Sequence, residues 1–219
     1  MQKLYTAKDM AKIGCDGCKG CSSCCEGMGD TVVLNPYDVY ELTKNLQVSF
    51  EDMLNQKIEL HVEEGMILPH IKMSDETDKC VFLDKEGRCS IHPFRPGLCR
   101  LFPLGRNYES DGEMWESTGY RYFILEDACP KAVKTKVKID KWLSVNQLSR
   151  NEAFILDWHN FCRWFQNKLQ KLFADGQDDY AKQLNLLVLN QFFVKTYDIE
   201  QDFYEQYYNR KKEIKDVVR

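Results

Sequence analysis

The stretch that decides the fold is "CDGCKGCSSCC", residues 15–25, which places five cysteines in eleven residues. Four of them recur at every third position and the fifth follows directly: Cys15, Cys18, Cys21, Cys24 and Cys25. The residues between them are aspartate, glycine, lysine and serine, so the stretch has no apolar period that could be buried as core. The thiols themselves therefore define the role of this segment.

Whether these thiols form disulfides or bind metal depends on the compartment. The first residues, "MQKLYTAKDMAK", contain no apolar h-region and no small-residue cleavage site, which predicts a cytoplasmic protein. In a reducing compartment, closely spaced cysteines are typically metal ligands rather than disulfide partners. Of the ten cysteines in the chain, the isolated Cys162 is instead expected to be a small buried hydrophobic residue.

The spacing within the cluster indicates a metal centre. A two-residue gap lets neighbouring thiolates bind one centre without strain, and Cys18-x2-Cys21-x2-Cys24 has the three-ligand spacing of bacterial ferredoxins. Cys129-Pro130 has the form of the remote fourth ligand in those proteins. An iron–sulfur cluster and a zinc ion are both compatible with this pattern. Because adjacent side chains normally diverge, Cys24 and Cys25 indicate either one centre with spare thiols or two centres.

Three more cysteines follow downstream. The segment "KCVFLDKEGRCSIH" predicts a hairpin that carries Cys80 and Cys89 on its two arms. Cys99 then lies between Arg95 and Arg100. The guanidinium groups of these arginines could donate hydrogen bonds to cluster sulfur or to an anionic ligand, or could pair with a local carboxylate.

These segments carry a family resemblance. "CKGCSSCC" together with "CVFLDKEGRCSIHPFRPGLCRLFPLGR" resembles the cysteine-cluster proteins of the YkgJ type, a family described as zinc- or iron-chelating, over about residues 15–130. The resemblance implies that eight cysteines bind the metal: Cys18, Cys21, Cys24, Cys25, Cys80, Cys89, Cys99 and Cys129. The sequence departs from the family by carrying Cys15 in addition, and by having His92 where the family commonly has tyrosine. Flagellin lysine-N-methylase is a related, longer protein, so the resemblance also implies a methyltransferase as an alternative.

The predicted fold class is α+β, with a cysteine-rich metal-binding core of short strands and hairpins followed by a C-terminal helical segment. "KIELHVEEGMILPHIKM" alternates at Ile58, Leu60 and Val62 and predicts a hairpin with a turn near Glu64-Gly65. From residue 140 onward, apolar residues recur at three- and four-residue steps, which predicts helix. We therefore expect a metal-binding domain over residues 1–139 and a helical extension packed on it over residues 140–219.

The composition narrows the function further. The net charge is −4, and lysine and arginine are spread evenly along the chain. The sequence therefore indicates no positively charged surface that would bind nucleic acid. The apolar runs are only a few residues long, so the sequence predicts no membrane-spanning segment. We predict a cytoplasmic metal-binding protein whose cofactor is an iron–sulfur cluster or, alternatively, zinc. The second hypothesis is a protein-modifying enzyme, such as a lysine N-methyltransferase, that acts on a protein partner and holds a structural or redox metal cluster.

Overall fold

The computed structural model describes residues 2–15, 21–54, 56–110, 116–130 and 134–218. The predicted α+β class is confirmed, because helices are combined with short strands that pair antiparallel. The strands in these residues are β1 Met10–Gly14, β2 Ile58–Glu63, β3 Met66–Ile71, β4 Leu104–Ser110, β5 Ser117–Ile124 and β6 Thr135–Lys138. They pair antiparallel as three two-stranded sheets, β1 with β6, β2 with β3, and β4 with β5.

The helices lie mainly in the C-terminal part, as predicted. They are α1 Pro36–Leu46, α2 Phe50–Met53, α3 Gly97–Leu101, α4 Ile139–Leu143, α5 Leu148–Ala174, α6 Asp178–Leu189 and α7 Phe203–Val217. Short 3-10 turns occur at Ser23–Cys25 and His92–Phe94, and a π-helical turn at Asn190–Val194 continues α6. None of the helices in the described part of the chain is long and apolar enough to cross a membrane.

The chain forms two compact units, each made of two separate segments. The first, which we call the cysteine unit, consists of Met1–Gly29 and Met73–Asn160. The second, the helical unit, consists of Asp30–Lys72 and Phe161–Arg219. These units describe packing, whereas a domain is defined by independent folding. The predicted domains 1–139 and 140–219 therefore stay a prediction, although their boundary differs from the division seen in the packing.

A small hydrophobic core holds the cysteine unit together. Its buried residues come from β1, α3, β4, β5 and α4: Ala11, Ile13, Leu101, Leu104, Tyr122, Ile139 and Leu143. The hydroxyl of Tyr122 donates a hydrogen bond to Glu152 Oε1 at 2.8 Å, which satisfies the polar end of this buried ring. Two cysteines are attached directly to this core, because Cys15 follows β1 and Cys99 lies within α3.

Local sequence rules account for several elements of the helical unit. α1 begins with a capping box in which the Asn35 side chain accepts from the main-chain N–H of Asp38, with Pro36 at the first helical position. The predicted hairpin forms as β2 and β3, with its turn at Glu64 and Gly65. Leu60 and Val62 are nevertheless exposed, so the apolar alternation marked the strand but not its buried face.

Aromatic packing fills the interior of the helical unit. Phe161, Phe165 and Leu169 recur along α5 and are essentially inaccessible to solvent. The ring of Phe161 meets that of Phe192 edge-on, with centroids 5.1 Å apart. α5 ends at Ala174, and Gly176 follows with a φ of +70°, the left-handed conformation that glycine adopts readily after a helix.

We predict that Gly14→Ala destabilises the protein by about 1–3 kcal/mol, the range expected for overpacking. A Cβ at this position would lie 2.3 Å from Thr135 Oγ1 and 2.5 Å from Val137 Cγ2. Both neighbours are β-branched and turn away only at the cost of a strained χ1. Chemical denaturation should detect the loss. Gly119→Ala is the matched control, since it would meet only Glu109 Oε2 at 3.7 Å, and an equal effect of both substitutions would contradict the prediction.

Candidate metal centre

The cysteine cluster is held at its C-terminal end by main-chain hydrogen bonds. Ser23–Cys25 form a 3-10 turn, and the N–H of Cys25 donates to Ser22 O at 2.7 Å. The Ser22 hydroxyl donates to Glu26 Oε1 at 2.6 Å, and Lys79 Nζ lies 3.3 Å from the same oxygen. These contacts fix residues 21–26. The predicted ligand Cys18 lies outside the described residues.

The second group of cysteines is paired with the first through the main chain. The N–H of Cys80 donates to Cys25 O at 2.8 Å, and that of Gly27 donates to Asp78 O at 2.8 Å. Glu26 and Lys79 form an antiparallel bridge between these two hydrogen bonds. Cys25 and Cys80, which are far apart in sequence, are therefore neighbours in the structure.

Cys89 is positioned by a tight turn. Asp84 Oδ1 accepts from the N–H groups of Glu86, at 3.0 Å, and Arg88, at 2.7 Å. Gly87 occupies the left-handed region with a φ of +72°, which favours glycine. The turn brings Leu83 and Cys89 into an antiparallel bridge. The predicted hairpin thus exists as a turn with a single bridge rather than as two strands.

Cys24 and Cys25 form the closest pair of thiols, which we call the loop pair. Their Sγ atoms lie 3.9 Å apart, so the expectation that adjacent side chains diverge is wrong here. At this separation one ion could contact both sulfurs. The hydrogen bond between the thiols lowers the pKa of Cys24 to about 6.

The pKa shifts of Cys25 and Cys89 indicate which thiols lie near the loop pair. The pKa of Cys25 is raised, first by its hydrogen bond with Cys24, then by burial and by the negative charges of Cys24, Cys80 and Cys99. Burial raises the pKa of Cys89, and the nearby charge of Cys24 adds to the increase. Five predicted ligands are therefore close enough to influence one another electrostatically.

A cavity of about 20 Å³, which we call the thiol cavity, lies beside the loop pair. Five cysteines from four segments contribute to its wall: Cys15, Cys21, Cys24, Cys99 and Cys129. The rest of the wall combines apolar and polar side chains: Phe102, Pro103, Pro130, Trp142, Ser23 and Arg95. Cys80 and Cys89 are neighbours of the loop pair. Neither they nor Cys25 is among these wall residues.

Sequence reasoning assigned no role to Cys15, although the every-third-residue period of the cluster includes it. The structure places it in the cavity wall with four predicted ligands. Cys162 belongs to the other unit, and burial raises the pKa of its thiol, as expected for a packing residue. The nine described cysteines form no disulfide with one another. As the side chains stand, no three histidine, cysteine or acidic side chains in the described residues are arranged to hold an ion.

The two arginines beside Cys99 have different surroundings. Arg95 lines the thiol cavity, and its Nε is buried with no hydrogen-bond partner among the described residues. Its Nη1 donates to His92 Nε2 at 2.9 Å. Arg100 donates to three main-chain carbonyls: Arg95 O at 2.9 Å, Ser144 O at 3.2 Å and Pro93 O at 2.5 Å. Arg95 thus has a donor available beside the thiols, whereas Arg100 holds the surrounding loop.

His92 is an exposed neighbour of these groups rather than part of the cavity wall. Partial desolvation of the ring by its neighbours and the positive charges of Arg95 and Arg100 lower its pKa. The hydrogen bond from Arg95 occupies Nε2, the ring nitrogen that faces the arginine. His92 therefore serves as a partner of Arg95.

Comparison with known families agrees with this picture. The sequence profile of the CxxCxxCC family, described as a "putative zinc- or iron-chelating domain", matches residues 17–130, more than half of the chain. The resemblance stated from the sequence is thereby confirmed. No curated protein and no solved structure gives a significant match.

The lowered pKa of Cys24 predicts unusual reactivity in the metal-free protein. Only the thiolate is nucleophilic, so alkylation of Cys24 by iodoacetamide should slow as the pH falls through about 6, where the thiol becomes protonated. Mass spectrometry of the modified peptide measures the rate at each pH. In Cys25→Ala the hydrogen bond is lost, and the midpoint should move up toward the ordinary thiol value of about 8.5. Equal midpoints in the two proteins would show that Cys25 does not activate Cys24.

Proposed function

The chain belongs to the CxxCxxCC family of zinc- or iron-chelating domains, and from this premise we propose that the cysteine unit binds a metal ion through its thiolates. The observation that carries this proposal is the thiol cavity, in which cysteines from separate segments face a common space. Cysteines that serve only as packing residues would lie singly along the chain, as Cys162 does. Convergence of thiols from distant parts of the sequence is typical of a metal site.

The donor set and its spacing support a single ion. Zinc binds thiolate sulfur at about 2.3 Å, so two ligands of a tetrahedral site lie about 3.8 Å apart. The Sγ atoms of Cys24 and Cys25 are separated by 3.9 Å, close to this edge length. Cys80 and Cys89 are the adjacent thiols that would complete a set of four around the loop pair. Rotation about χ1 is the movement that would bring their sulfurs to the same ion.

The described thiols form two neighbouring groups, the loop pair with Cys80 and Cys89, and the wall of the thiol cavity. We therefore propose a single zinc or iron ion, or one such ion in each of the two thiol groups. The ferredoxin-like spacing of Cys18, Cys21 and Cys24 makes an iron–sulfur cluster the alternative.

Arg95 supports the charge balance of such a site. Four thiolates around a divalent cation carry a net charge of −2, and the half-buried guanidinium of Arg95 next to them offsets part of this charge. Its buried Nε is a donor that can bind ligand sulfur, as outer-shell groups of metal sites do. Arg100 acts indirectly, because its hydrogen bond to Arg95 O fixes the main chain that carries Arg95.

The setting we propose is the cytoplasm, since thiolate ligands require a reducing environment to remain available. The proposed partner is the metal itself. A protein partner or substrate and the lysine N-methyltransferase alternative stay predictions, because a site made of thiols and one arginine does not by itself point to methyl transfer.

The proposal predicts which cysteines determine the metal content. Cys24→Ser and Cys99→Ser should each lower the metal bound per chain and destabilise the cysteine unit by several kcal/mol, because metal binding contributes directly to folding. Elemental analysis of protein purified without oxygen, together with its absorption spectrum, measures both the amount and the kind of metal. A colourless zinc protein supports the single-ion proposal, whereas broad visible absorption with sulfide present selects the iron–sulfur alternative.

Cys162→Ser is the control for these variants, since its thiol lies in the helical unit. Its metal content should equal that of the unmodified protein. If Cys24→Ser and Cys99→Ser also retained the full amount of metal, the proposed site would be wrong.

A further inference from the structure

Cys15 lies outside the family-matched region, which begins at residue 17. It follows β1 directly and only 7% of its surface is exposed. The described cysteines of the loop (Cys21, Cys24 and Cys25) and those of the downstream segments are, by contrast, partly exposed. A buried thiol at this position requires an explanation that the family pattern does not provide.

A β-bulge sets the position of Cys15. Lys12 pairs with Lys136 and Gly14 pairs with Thr135, so β1 has one residue more than β6 between these pairs. The extra residue breaks the usual alternation of side chains, and Ile13, Gly14 and Cys15 are buried in succession. Because a Cβ on Gly14 would meet Thr135 Oγ1 at 2.3 Å, this close approach requires glycine.

The environment of Cys15 is that of a ligand rather than that of a packing residue. Cys162 illustrates the packing role, with a thiol whose pKa is raised by burial alone. Cys15 instead forms the wall of the thiol cavity together with Cys21, Cys99 and Cys129, and Arg95 lines the same space. Its thiol therefore shares a cavity with several predicted ligands and with a cation suited to balance their charge.

We propose that Cys15 is a ligand of the metal ion held in the thiol cavity. The proposal rests on the metal-binding function proposed above and assigns that site a ligand from outside the family-matched region. On binding, the Cys15 thiol releases its proton to solvent and its sulfur donates an electron pair to the ion, with no change of oxidation state. The N-terminal strand is thereby tied to the segments that carry Cys21, Cys99 and Cys129.

The test compares three variants of the full-length chain loaded with Zn²⁺ or Co²⁺: Cys15→Ser, Cys129→Ser and Cys162→Ser. The readouts are metal bound per chain, affinity measured against a chromophoric chelator, and the intensity of the thiolate-to-cobalt charge-transfer band. Loss of an outer-shell group typically weakens metal binding by about 10–100-fold. Loss of the Cys15 ligand should weaken it by about tenfold or more, as should Cys129→Ser, and should reduce the cobalt band.

A Cys15→Ala variant separates ligation from packing. If Cys15 binds the metal, the increase in melting temperature on adding Zn²⁺ should be smaller in Cys15→Ala than in the unmodified chain, because weaker binding stabilises the folded state less. A packing role would instead lower the melting temperature equally with and without metal, and that result would overturn the proposal.

The outcomes also distinguish this inference from the proposed function. If the unmodified chain binds metal, Cys129→Ser weakens binding and Cys15→Ser behaves like Cys162→Ser, then Cys15 is not a ligand although the metal site stands. If the unmodified chain binds neither Zn²⁺ nor Co²⁺ through thiolates, both the proposed function and the role of Cys15 are wrong.

Discussion

The structure of the cysteine unit depends on the pairing of two short main-chain segments around Cys25 and Cys80. The hydrogen bonds from Cys80 N to Cys25 O and from Gly27 N to Asp78 O, both 2.8 Å, join the cysteine loop to the downstream cysteines. The intervening residues Asp30–Lys72 belong to the helical unit. The chain therefore leaves the cysteine unit and returns to it close to the place where it left. The hydrogen bonds from Leu34 N to Pro69 O, at 2.8 Å, and from Ile71 N to Val32 O, at 3.0 Å, also join the two ends of this segment, so main-chain pairing at both places offsets the entropy cost of closing so long a loop.

The hydrophobic core complements this pairing by anchoring the other cysteines. β1 contributes Ala11 and Ile13 to the core, which fixes the segment leading to Cys15. α3 contributes Leu101, which fixes Cys99 two residues earlier. Trp142 donates a hydrogen bond to Phe102 O at 3.1 Å and lines the thiol cavity beside it. The elements that carry these cysteines are therefore held in place by packing that does not involve the thiols. A site built on such elements is preorganised.

The sequence predicted the chemistry of the site and several local structures, because these depend on neighbouring residues. The capping box at Asn35, the hairpin turn at Glu64-Gly65 and the helix break at Gly176 all follow from local rules. The relation of Cys24 to Cys25 was predicted wrongly: successive residues of a 3-10 turn point about 120° apart, but their Sγ atoms lie 3.9 Å apart, because the position of a sulfur depends on χ1 as well as on the main chain. Three features depend on long-range packing: the exposure of Leu60 and Val62, the position of Cys15 after a bulge, and the construction of each unit from two separate segments of the chain. No local pattern encodes such packing.

Electrostatics connects the arrangement of the thiols to the stability of the cysteine unit. The charges of Cys24, Cys80 and Cys99 each raise the pKa of Cys25, so the metal-free unit cannot carry all of these groups as thiolates at once without mutual repulsion. A cation reverses the sign of this effect, since it favours deprotonation of every thiol that it contacts. The arrangement that is unfavourable for free thiolates is therefore favourable for bound ones, so we expect a bound metal to stabilise the folded cysteine unit. The helical unit has an aromatic interior of its own around Phe161, Phe165 and Phe192, and the described residues of its core contain no such set of like charges.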